Sequence, residues 1–317
     1  MCSPFRRLSS RRQVAAIARR VMPQLLVTLT RAGLDTQKAC QICRSARWCW
    51  LLVESASLPS MTSTAIAANP KGSGTARFER ENDMVRPLHR SAWRFTPGRM
   101  WLTFEEVPAL SGVVDLVRIR PRMAVLMARG AAAVSPVTNY AALRLLLRNE
   151  SSFTARDVSE DLGLALPRVS QSILPLLENL GWVSRESRTQ WAQCMPYVIP
   201  ATRVATVELK LHDWRRALWQ AMRHAAYADQ SWTALDAIRS RPALRAREAF
   251  AHVGVGVLLI DAAATVRDAV AVAIQAHGNP TDLAARALVV ENCLQLKSQG
   301  LTRGPDGTRF GTPARLI

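Results

Sequence analysis

Residues 203–211, RVATVELKL, restrict the possible folds of this chain more than any other stretch. Their side chains alternate with a period of two. Ala205, Val207, Leu209 and Leu211 form an apolar face, and Val204, Thr206, Glu208 and Lys210 the opposite one. The strand runs straight into a helical pattern over residues 214–228, with Asp213 placed as its N-cap. Trp214, Ala217, Leu218, Ala221, Met222 and Ala225 form the expected buried stripe, while Arg216, Gln220, Arg223 and Tyr227 line another face. SWTALDA and GVGVLLIDA read as two further strands. Strand, helix, strand, strand is the order of a layered α/β fold. A carboxylate and an ammonium two positions apart on such a strand are costly to bury and serve no packing purpose.

Upstream, WLTFEEVPALSGVVDLVRIR predicts a strand around Val113–Ile119. Period two places Val113, Asp115, Val117 and Ile119 on one face, so a carboxylate again sits among β-branched neighbours. It needs a cation, a hydrogen-bond donor or an open strand end.

Between these strands the texture becomes helical. SPVTNYAALRLLLRN reads as a helix. TARDVSEDLGL reads as a short one, capped by Thr154 and stopped by Gly163. ALPRVSQSILPLLENLGWVSRES carries a longer helix closing at Gly181, and WVSRESRTQWAQC fits a β-hairpin. Pro175, inside the longer helix, is expected to kink it or end it early. Over about 50 residues this stretch resembles winged helix-turn-helix DNA-binding domains. The resemblance implies that Arg168, Ser170, Gln171 and Ser172 face the major groove. Arg185 and Arg188, on the wing, would reach phosphate or the minor groove.

The net charge of +18 and the pI near 11.1 fit a polyanionic partner, with DNA ahead of an anionic membrane surface. No uncharged apolar run approaches the roughly 18 residues a spanning helix needs. Six cysteines without a framework fit a reducing, cytoplasmic setting, and CQIC with Cys49 is an incomplete zinc set. Histidines lack metal-ligand spacing, and neither a Ser/His/Asp arrangement nor a phosphate-cradling glycine loop stands out.

The strand with E-L-K, the following helix and the further strands resemble the PD-(D/E)xK nuclease superfamily. The resemblance implies an α/β fold with a restriction-endonuclease-like mixed sheet flanked by helices. Glu208 and Lys210 match the E-x-K, and Gln220 a glutamine on the next helix. Asp115 is the choice for the first acid, and Glu105 or Glu106 for an additional one. Asp115 and Glu208 would hold Mg2+ or Mn2+, Lys210 would assist the attacking water, and Arg216 and Arg223 would meet the DNA backbone. The segment just before the E-x-K strand has Pro200–Ala201 where the pattern prefers Pro–Asp. Asp115 therefore serves only if the winged-helix unit is inserted between the two ligating strands.

The expected organisation is a basic, disordered or unreliable segment at 1–95 and a first nuclease-like part at 96–135. The winged helix-turn-helix follows at 136–190 and a second nuclease-like part at 191–262. A helical, packing or dimer-forming segment with a disordered tail occupies 263–317. Two functions follow: a Mg2+-dependent DNA endonuclease or processing enzyme, or a catalytically inactive transcriptional regulator or DNA-binding adaptor.

Overall fold

The computed structural model describes residues 77–265 and 268–304. The CQIC segment, the leading basic residues and the end of the tail lie outside the described residues.

The described residues form an α/β protein with a six-stranded mixed sheet and a small three-stranded antiparallel sheet, with helices packed on both. The large sheet has the order β1-β2-β6-β7-β8-β9. Its strands are β1 (Leu102–Ala109), β2 (Gly112–Pro121), β6 (Ala201–Lys210), β7 (Gln230–Asp236), β8 (Gly256–Ile260) and β9 (Val270–Ile274). β1, β2 and β6 pair antiparallel. β6, β7 and β8 run parallel, and β9 returns antiparallel on the far edge.

Both faces of this sheet are covered, so its central strands are apolar on both sides, as a sheet between helical layers requires. On one face Leu116, Val207, Leu209, Trp232 and Leu258 pack against Met84, Leu88 and Phe95. The first two of those come from a 3-10 turn, Glu81–Met84, and from α1 (Val85–Arg90). The expectation of a disordered segment up to residue 95 is therefore corrected over Glu81–Arg94. Asp83 accepts the Arg80 amide at 2.9 Å, and Met84 and Leu88, four apart, form one buried stripe.

The other face is shared by two helices. α6 (Trp214–Ala225) covers β7 and β8 through Ala217 and Ala221. Asp213 caps it by accepting the Arg216 amide at 3.0 Å. After the short helices α7 (Arg241–Arg245) and α8 (Arg247–His252), α9 (Leu283–Ser298) covers β1, β2 and β6 through Val289, Val290 and Cys293. Its cap is Asp282, accepting from Ala285. The C-terminal segment also supplies β9, which the helical expectation missed: VAVAI is β-branched at alternate positions and pairs with β8. Residues 301–304, expected to be disordered tail, run along β1, where Thr302 accepts the Glu105 amide at 2.8 Å.

Between β2 and β6 the chain leaves the sheet. α2 (Met123–Ala131) is followed by α3 (Tyr140–Leu146), β3 (Ser152–Thr154) and α4 (Ala155–Leu162). Then come a helix over 166–179, α5, and the hairpin β4 (Val183–Arg185) and β5 (Gln190–Gln193). Thr154 and Asp157 form a reciprocal cap, and Gly163 ends α4 at φ 63°, where a side chain would be strained. Pro175 does not end α5. The turn before it, Val169–Ile173, widens to a π turn, and the α-helix continues over Leu174–Asn179.

This excursion has its own core, with Leu143, Phe153, Val158, Ile173, Leu177, Trp182 and Trp191. A buried polar knot ties it to the large sheet. Arg129 donates to Glu291 at 2.6 Å, and Tyr197 donates to the same carboxylate oxygen at 2.7 Å. The guanidinium lies 4.8 Å from the Trp182 ring centroid and 4.9 Å from that of Tyr197. Among the described residues no helix is long and apolar enough to cross a membrane.

Candidate active site

The antiparallel register of β2 and β6 sets Leu116 opposite Val207, and one step further along it brings Asp115 level with Glu208. The two acids thus meet on adjacent strands although the whole 122–200 excursion separates them in sequence. Asp115 Oδ2 accepts the Leu209 amide at 2.8 Å and lies 3.8 Å from Lys210 Nζ. Lys210 is nearly buried at the end of β6. Its ammonium donates to the Leu209 carbonyl at 2.7 Å and to Glu81 Oε2 at 3.2 Å.

Glu208 is fully buried, and neither of its carboxyl oxygens has a hydrogen-bond partner among the described residues. His224 Nδ1 stands 3.4 Å from Glu208 Oε1. Burial raises the Glu208 carboxyl well above its ordinary range, and the adjacent Asp115 charge adds to this against the opposing pull of Lys210. Asp115 is also raised, by burial first, with the Lys210 charge and the Leu209 amide working the other way. Two carboxyls this close do not both ionise easily, and Glu208, fully buried and the more strongly raised, resists ionisation more than Asp115.

α6 closes the site from above. Gln220 and His224 are four residues apart, so both point from the helix side that reaches Glu208. The Gln220 side-chain oxygen is buried without a hydrogen-bond partner among the described residues. Burial, with Arg223 adding, lowers His224 to about 3, so the ring is neutral near pH 7. Tyr227, expected on an exposed face, is buried beside His224, and burial and the Glu208 charge raise its phenol well above the usual range. Met222, expected in the buried stripe, is exposed. Arg223 is half-buried and donates to the Ser111 carbonyl in the β1–β2 turn, while Arg216 is exposed near the start of α6.

Neither Glu105 nor Glu106 supplies the additional acid. Glu105 is bound by His89 at 2.9 Å. Glu106, at φ 51°, turns its carboxylate to Arg303. The third carboxylate near the pair is Glu81, which reaches Lys210 from the far side of β6. Its signal was the acidic first turn of ENDM followed by Met84 and Leu88 at helical spacing.

Among the described residues no group of three or more His, Cys, Asp or Glu side chains is arranged to hold a metal ion. Asp115 and Glu208 supply a two-carboxylate, oxygen-only set whose Glu208 oxygens lack donors. That suits Mg2+, which commonly takes one or two carboxylates and completes its shell with water and substrate phosphate.

The residues expected to meet DNA through the excursion lie on its surface. Arg168, Gln171 and Ser172 are exposed on α5, and Arg185 and Arg188 are exposed on the hairpin. Ser170 is half-buried and donates to the Leu166 carbonyl at 3.0 Å. Arg185 also stacks 5.1 Å from the centroid of the Trp191 ring. Comparison with family models, with curated proteins and with solved structures finds no match to this chain.

Proposed function

We propose that this chain is a metal-dependent DNA phosphodiesterase of the PD-(D/E)xK kind, with a restriction-endonuclease-like sheet and an inserted winged helix-turn-helix that binds duplex DNA. The observation that carries it is the meeting of Asp115, Glu208 and Lys210 across β2 and β6, with Asp115 3.8 Å from the ammonium. An all-packing strand does not place two carboxyls and a lysine together in a buried position.

Asp115 and Glu208 would hold the divalent cation, which supplies positive charge that neutralises the phosphodiester and eases ionisation of water. Glu208 must shed its proton to do so, against its burial and the adjacent Asp115 charge, and the charge of a bound cation would offset both. Lys210 contributes a fixed positive charge beside the reacting phosphate. Gln220 offers an unpartnered carbonyl oxygen from α6 that can orient the attacking water. Hydrolysis adds that water across one P–O bond, leaving a phosphomonoester and a sugar hydroxyl. The net charge of +18 and the exposed arginines of α5 and the hairpin supply the attraction to DNA.

Plasmid, single-stranded and branched DNA incubated with the protein and Mg2+ or Mn2+ tests this. Cleavage is expected, with Asp115→Ala, Glu208→Ala and Lys210→Ala each at least about 100-fold slower. No product on any substrate, or products unchanged in these variants, removes the catalytic function.

One observation favours a second function, a DNA-binding regulator or adaptor without turnover: Glu81 and the Leu209 carbonyl already engage the Lys210 ammonium. Thermal melting separates the two. A metal-holding site raises the midpoint as Mg2+ saturates it, and an inert one leaves it unchanged.

A further inference from the structure

Beside the two carboxyls lies a surface that neither catalysis nor the winged helix-turn-helix uses. Trp219 precedes Gln220 on α6 and is 54 % exposed, and Met222 on the same helix is 42 % exposed. Arg223, one turn beyond Trp219, lies 4.5 Å from the indole centroid and is fixed there by its hydrogen bond to the Ser111 carbonyl. That bond brings the exposed side of α6 to the β1–β2 turn, where Leu110 is 46 % exposed, and β2 leads from this turn to Asp115. Through Arg223, Trp219 is therefore tied to the turn from which β2 runs to Asp115.

A tryptophan more than half open to water loses the benefit of burying a large apolar ring. Here the ring is also held in orientation by a guanidinium, on a helix, WRRALWQAMRHA, that carries Arg215, Arg216 and Arg223 and no acid. An apolar, positively charged rim of this kind complements a group that is both aromatic and polyanionic. A nucleotide is such a group, but within a duplex its base faces are covered by neighbouring bases. Only an unpaired or terminal base offers a free face for stacking, and such stacking is tolerant of sequence.

The geometry points to Trp219 as a stacking platform for an unpaired nucleobase, with Met222 three residues on along the exposed side of α6 and Arg223 holding the ring and meeting the backbone. It deepens the function proposed above and rests on it for the chemistry at Asp115 and Glu208. The substrate class it assigns is DNA with unpaired nucleotides next to a duplex, such as a tailed end, a flap or a fork. The duplex arm belongs to α5 and the hairpin, and the unpaired arm to α6.

Fluorescence anisotropy with the full chain in EDTA tests this without any cleavage, using a labelled oligo-dT, a blunt duplex and the same duplex with a single-stranded tail. Trp219→Ala is expected to weaken oligo-dT and tailed duplex about tenfold and blunt duplex less than about twofold. Trp219→Phe keeps most of the affinity, because a smaller ring still stacks. Equal affinity of wild type and Trp219→Ala for oligo-dT, equal loss on all three DNAs, or no binding of any of them by wild type overturns the platform. Selective loss together with no cleavage in Mg2+ upholds the platform while removing catalysis. Cleavage together with unselective loss does the reverse.

Discussion

Asp115 and Glu208 illustrate how a residue's chemistry depends on a partner that lies far away in sequence. Alternation along β2 and β6 marked each as an acid among apolar neighbours, and E-x-K spacing tied Lys210 to Glu208. Antiparallel register then set the two acids level. Glu81 was missed because its acidic turn lies in a polar stretch, and its partner, Lys210, is remote in sequence. Tyr227 was misplaced because α6 ends at Ala225, so the helical spacing that put it on an exposed face no longer applies there. A pH prediction belongs at this scale. The folded-state pKa of Glu208 is raised, so the native chain binds a proton that the unfolded chain gives up in the ordinary carboxylate range. Its contribution to stability is complete below that range and is lost as pH rises toward the raised value. In EDTA, wild type should therefore lose melting temperature relative to Glu208→Gln as pH rises above the ordinary carboxylate range. Parallel curves would show that the carboxyl is not buried in solution. His224 runs the other way: its depressed pKa gives stability present above about 6.5 and lost as pH falls toward about 3.

At the scale of elements, those with strong local signals were legible and those defined by tertiary contact were not. α4 appeared with its Thr154 cap and its Gly163 stop because both signals are chemical and local. β9 is expected as helix because the alanines between its β-branched residues are strong helix formers, and pairing with β8 decides the matter. Pro175 was expected to break α5, but a π turn upstream relieves the clash between the proline ring and the preceding turn. The knot of Arg129, Glu291 and Tyr197 was invisible in sequence, since α2, α9 and the segment before β6 supply one residue each. It yields a prediction for the joint between the excursion and the sheet. Glu291→Leu strands a buried guanidinium and should cost about 3–5 kcal/mol in chemical denaturation. Adding Arg129→Met should recover part of that loss. A single variant as stable as wild type would mean that the pair is hydrated and holds nothing.

For the whole molecule, the alternation of sheet-forming and helical texture revealed an α/β layered fold with an excursion between β2 and β6. What sequence could not supply was the boundary of the first unit, because Glu81–Arg94 buries its apolar side only against strands that come later. Charge is the other whole-molecule property, and it carries the last prediction. Binding of duplex DNA should weaken steeply with salt, and Arg168→Ala and Arg188→Ala should each lower the slope of log K against log salt by about 1. An unchanged slope in both would take α5 and the hairpin away from the DNA.

Leu209 and Asp115, joined by one hydrogen bond, are 94 positions apart in the chain. A ribosome must therefore finish the entire excursion before the second carboxyl emerges, and that intervening stretch must collapse before the acids can meet. Premature termination or proteolytic clipping upstream of β6 releases a fragment that keeps the surface arginines of α5 and the hairpin but lacks Glu208 and Lys210. On the function proposed above, such a fragment would occupy DNA without the means to cut it, and harm from misprocessing would come through competition for sites and not through strand breakage.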